Sequence, residues 1–133
     1  KRGLQACVKH LGFVESLSAV NLWLSGADVG ISLRTFYWGE TPSSVLRMMA
    51  AGLPTIVNNV GAFSELPDWA CVKISPDNSG VAERLFAELM KFYQNPNFRE
   101  RMGASARRYV QQAHDPMKAA MLYIKSISTI LSG

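Results

Sequence analysis

Residues 39–54 read Gly-Glu-Thr-Pro-Ser-Ser-Val-Leu-Arg-Met-Met-Ala-Ala-Gly-Leu-Pro, a stretch that predicts a loop followed by a helix with a marked start and end. Thr41 is a typical N-cap, and Pro42 suits the first helical position because an amide there would have no partner. Gly52 can take the left-handed conformation that ends a helix. The predicted helix therefore covers residues 42–51.

Short apolar runs flank this helix and predict two buried strands, at residues 29–33 and 55–57. A strand, a helix and a second strand in so short a stretch predict a βαβ unit, whose strands are parallel. In open sheets of this kind, ligands bind beyond the carboxyl ends of the strands, where helices begin. The amides and hydroxyls of residues 43–45 therefore form a candidate anion site. The alternative is a well-capped helix that binds nothing.

The rest of the chain predicts an α/β fold with a Rossmann-like parallel sheet and flanking helices, forming one partial domain over residues 1–133. Further elements are expected as strands at residues 6–14 and 70–75, a helix at residues 15–27, and a helical last part at about residues 81–131. The stripe of the first of these late helices is expected to contain Leu85, Phe86, Leu89, Met90 and Tyr93.

Several further residues could have either a functional or a structural role. The aromatic residues 36–38 lie beside Arg34 in a loop, where they could contact a sugar, a base or another domain, or pack in the core. Cys7 and Cys71 are expected to be small buried strand residues, which fits a reduced cytoplasmic protein. His10 is expected to be a structural residue on a strand.

Composition sets broad limits on function. The chain has 48% hydrophobic and 18% charged residues and a net charge of +4, which is ordinary for a globular domain. No apolar run approaches the ~20 residues that cross a bilayer. The basic residues of the last third could favour an anionic membrane surface, but a solvated helix face explains them as well. No nucleic-acid motif accompanies them, and the start at Lys1 without methionine suggests an excerpt of a longer protein.

Residues 46–57, Leu-Arg-Met-Met-Ala-Ala-Gly-Leu-Pro-Thr-Ile-Val, are followed by Asn-Asn-Val-Gly-Ala-Phe-Ser-Glu-Leu-Pro at residues 58–67. This combination resembles the donor-side domain of the retaining GT-B glycosyltransferases of family 4, over nearly the whole chain. The resemblance implies the incomplete C-terminal half of such an enzyme. It also implies a hexosyltransferase activity in the full-length parent, which this piece alone is expected to lack.

The resemblance also implies roles for individual residues. Glu40 is the candidate catalytic residue, which would contact the donor sugar. The candidate donor-binding residues are Gly12 and Phe13 at the base, Gly39 and Thr41 in the loop, Ser43, Ser44 and Val45 at the distal phosphate, Arg34 as a neutralising cation, and Arg47 at the ribose position. Glu65 is expected to hold its own loop by accepting backbone hydrogen bonds.

The sequence departs from the family at two glutamate positions, which hold Gly39 and Arg47 here. A guanidinium only donates hydrogen bonds, so Arg47 cannot accept them from ribose hydroxyls as a carboxylate does. Two alternatives therefore stay open beside the active enzyme. One is a degenerate, non-catalytic module for assembly or regulation, and the other is an unrelated nucleotide-binding α/β domain.

Cofactors and partners follow from the same resemblance. A nucleotide diphosphate sugar would be the donor substrate, and the resemblance implies no metal or other cofactor. The chain has no Asp-x-Asp pair, which agrees with that expectation. The implied partners are a glycan or lipid-linked acceptor and the N-terminal domain of the same parent chain, with no nucleic acid. The implied location is the cytoplasm, with peripheral contact at the inner face of the cell membrane as a further option.

Overall fold

A computed structural model describes residues 3–34, 43–77 and 79–132 of the chain. In chain order its elements are a 3₁₀ turn at Leu4–Cys7, α1 (Leu17–Ser25), β1 (Gly30–Ser32), α2 (Ser43–Ala50), β2 (Thr55–Asn58), a 3₁₀ turn at Gly61–Phe63, β3 (Val72–Ile74), α3 (Val81–Gln94), α4 (Pro96–Ala113) and α5 (Pro116–Leu131). The α/β fold class is confirmed, as are the predicted strands around β1, β2 and β3.

The three strands form one parallel sheet in the order β1-β2-β3. Gly30 of β1 lies opposite Thr55 of β2, and Ile56 of β2 lies opposite Val72 of β3. All four residues of β2 are buried, as expected for the central strand of a sheet that is covered on both faces. The predicted parallel arrangement around the 39–54 stretch is therefore correct.

The two sides of β2 face two different parts of the core. Val57 packs with Val45 and Met49 of α2 in one cluster, to which α4 contributes Ala106. Ile56 packs in the other cluster, with Phe92 of α3. Because successive side chains of a strand point to opposite faces, these two neighbours place α2 and α3 on opposite sides of the sheet. Helix α4 contributes partly buried side chains to both clusters.

Side-chain caps mark the start of three helices, α1, α4 and α5. The Ser16 hydroxyl accepts a bond from the Ala19 amide at α1, and the Asn95 side chain accepts one from the Phe98 amide at α4. Asp115 caps α5 in the same way. Each cap satisfies an amide that has no acceptor within its helix.

The end of α2 is set by Gly52, as the sequence predicts. Its φ of 83° lies in the left-handed region, and its amide donates to the Met49 carbonyl at 2.9 Å. Helix α4 then passes so close to this turn that a Cβ on Gly103 would lie 2.1 Å from the Gly52 carbonyl oxygen. A residue without a side chain is therefore required at position 103.

The predicted strand at residues 6–14 is wrong. Residues 4–7 form a 3₁₀ turn, the segment that follows has no regular structure, and both Cys7 and His10 are exposed. A strand needs a neighbour for its backbone hydrogen bonds, and the described residues supply none beside this segment. Cys71, in contrast, is buried just before β3, as expected.

The predicted apolar stripe of α3 is partly wrong. Phe86 and Tyr93 are 65% and 76% exposed, whereas Phe92 is fully buried against Ile56 and Ile74. Helix α3 faces the sheet through Leu85, Leu89 and Phe92 because these positions follow one another at helical spacing.

Helix α5 has no buried residue in the described chain. Its large apolar side chains, from Met117 to Leu131, are between 55% and 83% exposed. None of the described helices combines the length and the apolar character needed to span a lipid bilayer.

We expect Gly103→Ala to destabilise the protein by at least about 2 kcal/mol, because the new methyl group would overlap the Gly52 carbonyl and move α4. Urea unfolding measures the change in free energy. Gly26→Ala is the matched control: a Cβ there meets its nearest atom at 3.9 Å, so a change of less than about 0.5 kcal/mol is expected. Equal stability of the two variants would contradict the close contact.

Candidate functional site

A cavity of about 590 Å³ lies between α1, the carboxyl end of β1 and the start of α2. Its position agrees with the crevice in which ligands bind to open parallel sheets. The side chains that line it are those of Phe13, Val20, Leu24, Ile31, Ser32, Ser43, Ser44, Arg47 and Met48.

The polar wall of this cavity comes from one face of α2. Ser43 and Ser44 precede Arg47 by one helical turn, so the three side chains lie on the same side of the helix. The opposite side carries Val45 and Met49, both fully buried in the core. The helix thus has a core face and a polar face, and the polar face brings two hydroxyls and a guanidinium to the same cavity.

Val45 does not present its side chain to the cavity, because that side chain is in the core. Its possible contribution is restricted to the backbone. The first amides of a helix have no acceptor within the helix, and they carry the positive end of its dipole. The predicted role of Val45 thus stays a prediction about its amide alone.

The electrostatics of the cavity favour an anion. Arg47 forms no ion pair with any carboxylate of the described residues, where the ion pairs involve other cations. Among the described residues that line the cavity there is no Asp or Glu. An anionic ligand could take hydrogen bonds from Arg47 and from both serine hydroxyls.

The apolar wall includes Phe13, whose side chain is 90% exposed. An aromatic face open to solvent at the rim of a polar cavity can stack on a planar ring. Gly12 does not line the cavity, although its φ of 65° makes the turn from which Phe13 projects. The structure thus brings Phe13, Ser43, Ser44 and Arg47 to one cavity, and their binding roles stay predictions.

Arg34 lines a second and smaller cavity of about 290 Å³, beyond the carboxyl ends of all three strands. Asn58 fixes the backbone of Arg34 there. The Arg34 amide donates to Asn58 Oδ1 at 3.0 Å, and Asn58 Nδ2 donates to the Arg34 carbonyl. Asn58 is only 8% exposed, so these bonds extend the β1–β2 pairing by one buried side chain.

Sequence reasoning missed Asn58. The available signal was a polar residue directly after the buried run 55–57, at the end of a strand where ligands gather. Its partner is 24 residues away in the sequence, however, and no local pattern identifies such a contact.

Three predicted site residues, Gly39, Glu40 and Thr41, lie outside the described residues, as do the aromatic residues 36–38. The catalytic assignment of Glu40 therefore stays a prediction. In the part of the chain that is described, no three His, Cys, Asp or Glu side chains are grouped so that they could hold a metal ion.

The predicted role of Glu65 is not the one observed. Glu65 is exposed and accepts no hydrogen bond from the described residues. Lys73 holds this loop instead, because its Nζ donates to the Ser64 carbonyl at 3.0 Å and pairs with Asp68 at 2.8 Å.

Burial changes the chemistry of one cysteine. Removal from water raises the pKa of the Cys71 thiol from its ordinary value of 9.0 to about 11, because the thiolate loses its hydration. Desolvation also raises the pKa of Tyr109. A thiol of this kind is a small core residue and a poor nucleophile near neutral pH.

We expect iodoacetamide at pH 8 to label Cys7, which is exposed, and to spare Cys71 in the folded protein. Mass spectrometry of peptides measures both sites in one sample. Because the pKa of Cys71 is higher in the folded than in the unfolded chain, its contribution to stability is complete below pH 9 and is lost as the pH rises towards 11. Rapid labelling of Cys71 at pH 8 would contradict its burial.

We expect Asn58→Ala to destabilise the protein by about 2 kcal/mol, since the Arg34 amide and carbonyl lose their partner at a mostly buried position. Asn59→Ala is the control, because Asn59 is exposed and its side chain forms no hydrogen bond with the described residues, so a change under about 0.5 kcal/mol is expected. Chemical denaturation compares the two. An equal loss in both variants would remove the special role of Asn58.

Comparison with known proteins does not assign the chain to a family. The chain matches no family model, no curated protein and no solved structure at a significant level. The structure itself shows an α/β chain with a three-stranded parallel sheet and flanking helices, compatible with part of a Rossmann-like domain.

Proposed function

We propose that this chain is the donor-side part of a retaining GT-B glycosyltransferase, and that it binds a nucleotide diphosphate sugar in the cavity between α1, β1 and α2. The observation that carries the proposal is the position of Ser43, Ser44 and Arg47 on one face of α2, at the carboxyl end of a parallel strand. This arrangement suits a diphosphate.

Transfer of a sugar from such a donor releases a nucleoside diphosphate, whose oxygens gain negative charge as the bond to the sugar breaks. Hydroxyls, helix amides and a guanidinium that already point at those oxygens stabilise that charge without a nucleophilic side chain. In the proposed site Ser43 and Ser44 hold the distal phosphate, and Phe13 stacks on the base. Glu40 contacts the sugar hydroxyls.

The position of Arg47 supports a different role from ribose recognition. Its guanidinium cannot accept a hydrogen bond from a ribose hydroxyl. It lines the cavity together with the two serines, where a cation compensates phosphate charge. We therefore propose that Arg47 binds phosphate, and that Arg34, which lines the smaller cavity beyond the ends of the strands, helps to neutralise its charge.

Three uncovered surfaces support a larger parent protein. Helices α1 and α5 have no buried residue, and β1 pairs on one side only among the described strands. We propose that the rest of the donor domain and an N-terminal acceptor-binding domain of the same protein cover these surfaces. The 133 residues alone would then transfer no sugar.

We also propose an acceptor, a metal-independent reaction and a location for the full-length enzyme. The acceptor is a glycan or a lipid-linked sugar, catalysis needs no metal, and the enzyme works in the cytoplasm with peripheral contact at the inner face of the membrane.

Calorimetry of the full-length protein with UDP-, GDP- and dTDP-sugars tests the binding site. One of these donors is expected to bind, and both Ser44→Ala and Arg47→Gln are expected to weaken it, the arginine variant about tenfold, since a hydrogen bond to a charged group is lost. Arg101→Gln, which removes the same charge from an exposed position of α4, is the control and should change nothing.

Failure of all three donors to bind would contradict the proposal, as would an equal loss in the Arg101 and Arg47 variants. Turnover assays then separate the alternatives. Sugar transfer that Glu40→Ala abolishes supports the enzyme, and donor binding without transfer favours the non-catalytic module. Tight binding of the free nucleotide without preference for its sugar favours an unrelated nucleotide-binding domain.

A further inference from the structure

A second polar groove, of about 450 Å³, lies on the other side of Arg47, between α1, α2 and α4. Its lining residues are Asn21, Ser25, Arg47, Ala50, Ala51 and Arg107. Arg47 lines both this groove and the cavity described above, whereas Arg107 and Asn21 line the groove alone.

The described walls of the groove contain two guanidinium groups and no carboxylate. The ion pairs of the described residues involve Lys73, Arg84, Lys91 and Arg99, so neither arginine of the groove is neutralised there. Arg107 Nε donates to the Ala50 carbonyl at 3.1 Å, which anchors this side chain beside the end of α2. Its two Nη groups have no partner among the described residues.

Asn21 adds a neutral donor to the groove. Its side chain is exposed and forms no hydrogen bond with the described part of the chain, so its amide nitrogen is available to a ligand. Ser25 is different, because its hydroxyl hydrogen is already donated to the Leu22 carbonyl at 2.8 Å. The donors of the groove are therefore Asn21, Arg47 and Arg107.

One feature opposes an anion at this place. The groove lies at the carboxyl ends of α1 and α2, where the free carbonyls carry the negative end of the helix dipole. That effect fades within one turn and is weaker than a full charge. The bonds from Arg107 to Ala50 and from Ser25 to Leu22 also occupy two of these carbonyls. Two full positive charges therefore dominate the groove.

We propose that this groove is a second anion site, which binds a phosphate-bearing ligand between Arg47 and Arg107. Planar guanidinium groups bind phosphate oxygens through paired hydrogen bonds, and two of them in one groove suit a group with several charged oxygens. The proposal does not depend on occupation of the donor cavity.

Titration calorimetry of inorganic pyrophosphate into the full-length protein tests the site. Saturable binding is expected, and Arg107→Gln and Arg47→Gln should each weaken it about tenfold. Arg108→Gln is the matched control. Arg108 is the next residue of α4 and stacks on Trp69, 5.4 Å from the ring centre, outside the groove.

Arg107→Gln also removes the bond to Ala50, so a second variant guards against a loss of fold. Asn21→Asp places a negative charge in the groove at an exposed position of α1 without removing a described hydrogen bond. It should weaken pyrophosphate binding at least tenfold while the melting temperature stays close to that of the unmodified protein.

Three outcomes would overturn the proposal. The first is the absence of saturable binding. The second is an equal loss in Arg108→Gln, which would indicate a general charge effect. The third is a loss in Ser44→Ala with none in Arg107→Gln or Asn21→Asp, because pyrophosphate would then occupy the donor cavity. The protein could also bind pyrophosphate through Arg107 and bind no nucleotide sugar. That result would support this second site and contradict only the proposed donor function.

Discussion

Backbone contact between α4 and the turn after α2 is the constraint on which the rest of the structure depends. Gly103 and Gly52 approach so closely that a side chain at position 103 would force one of the two backbone segments to move. Because α4 contributes to the clusters on both faces of the sheet, its position also sets how α2 and α3 close over β2. The same approach brings Arg107 to the end of α2. The close approach of these two glycines therefore affects both the core and one wall of the polar groove.

Several helix boundaries follow from local capping residues that can be identified in the sequence. The caps at Ser16, Asn95 and Asp115 and the stop at Gly52 depend on neighbouring residues alone. Helices α1, α4 and α5 begin directly after these caps, and α2 ends just before Gly52. The apolar composition of residues 6–14 favours a strand, but the structure has none there. A strand is stabilised by a partner rather than by composition, and the described chain offers no partner.

The site was predictable to the extent that it depends on one helix. Ser43, Ser44 and Arg47 are close in sequence, so their common face follows from helical spacing. Contacts between distant segments were not predictable in this way. Asn58 meets Arg34 across 24 residues, and Arg107 meets Ala50 across 57. The error in α3 has a related cause, because several apolar residues could have formed the buried stripe and only the packed sheet selects Phe92 over Phe86.

Arg47 lines both the donor cavity and the polar groove, and its side chain has only one guanidinium group. A ligand that draws this side chain into one space withdraws it from the other. If both spaces bind anions as proposed, their ligands would therefore compete for one side chain. The concentration of a small anion in the groove would then change how often the donor cavity is occupied. The size of this effect would be limited by the interaction energy of one side chain.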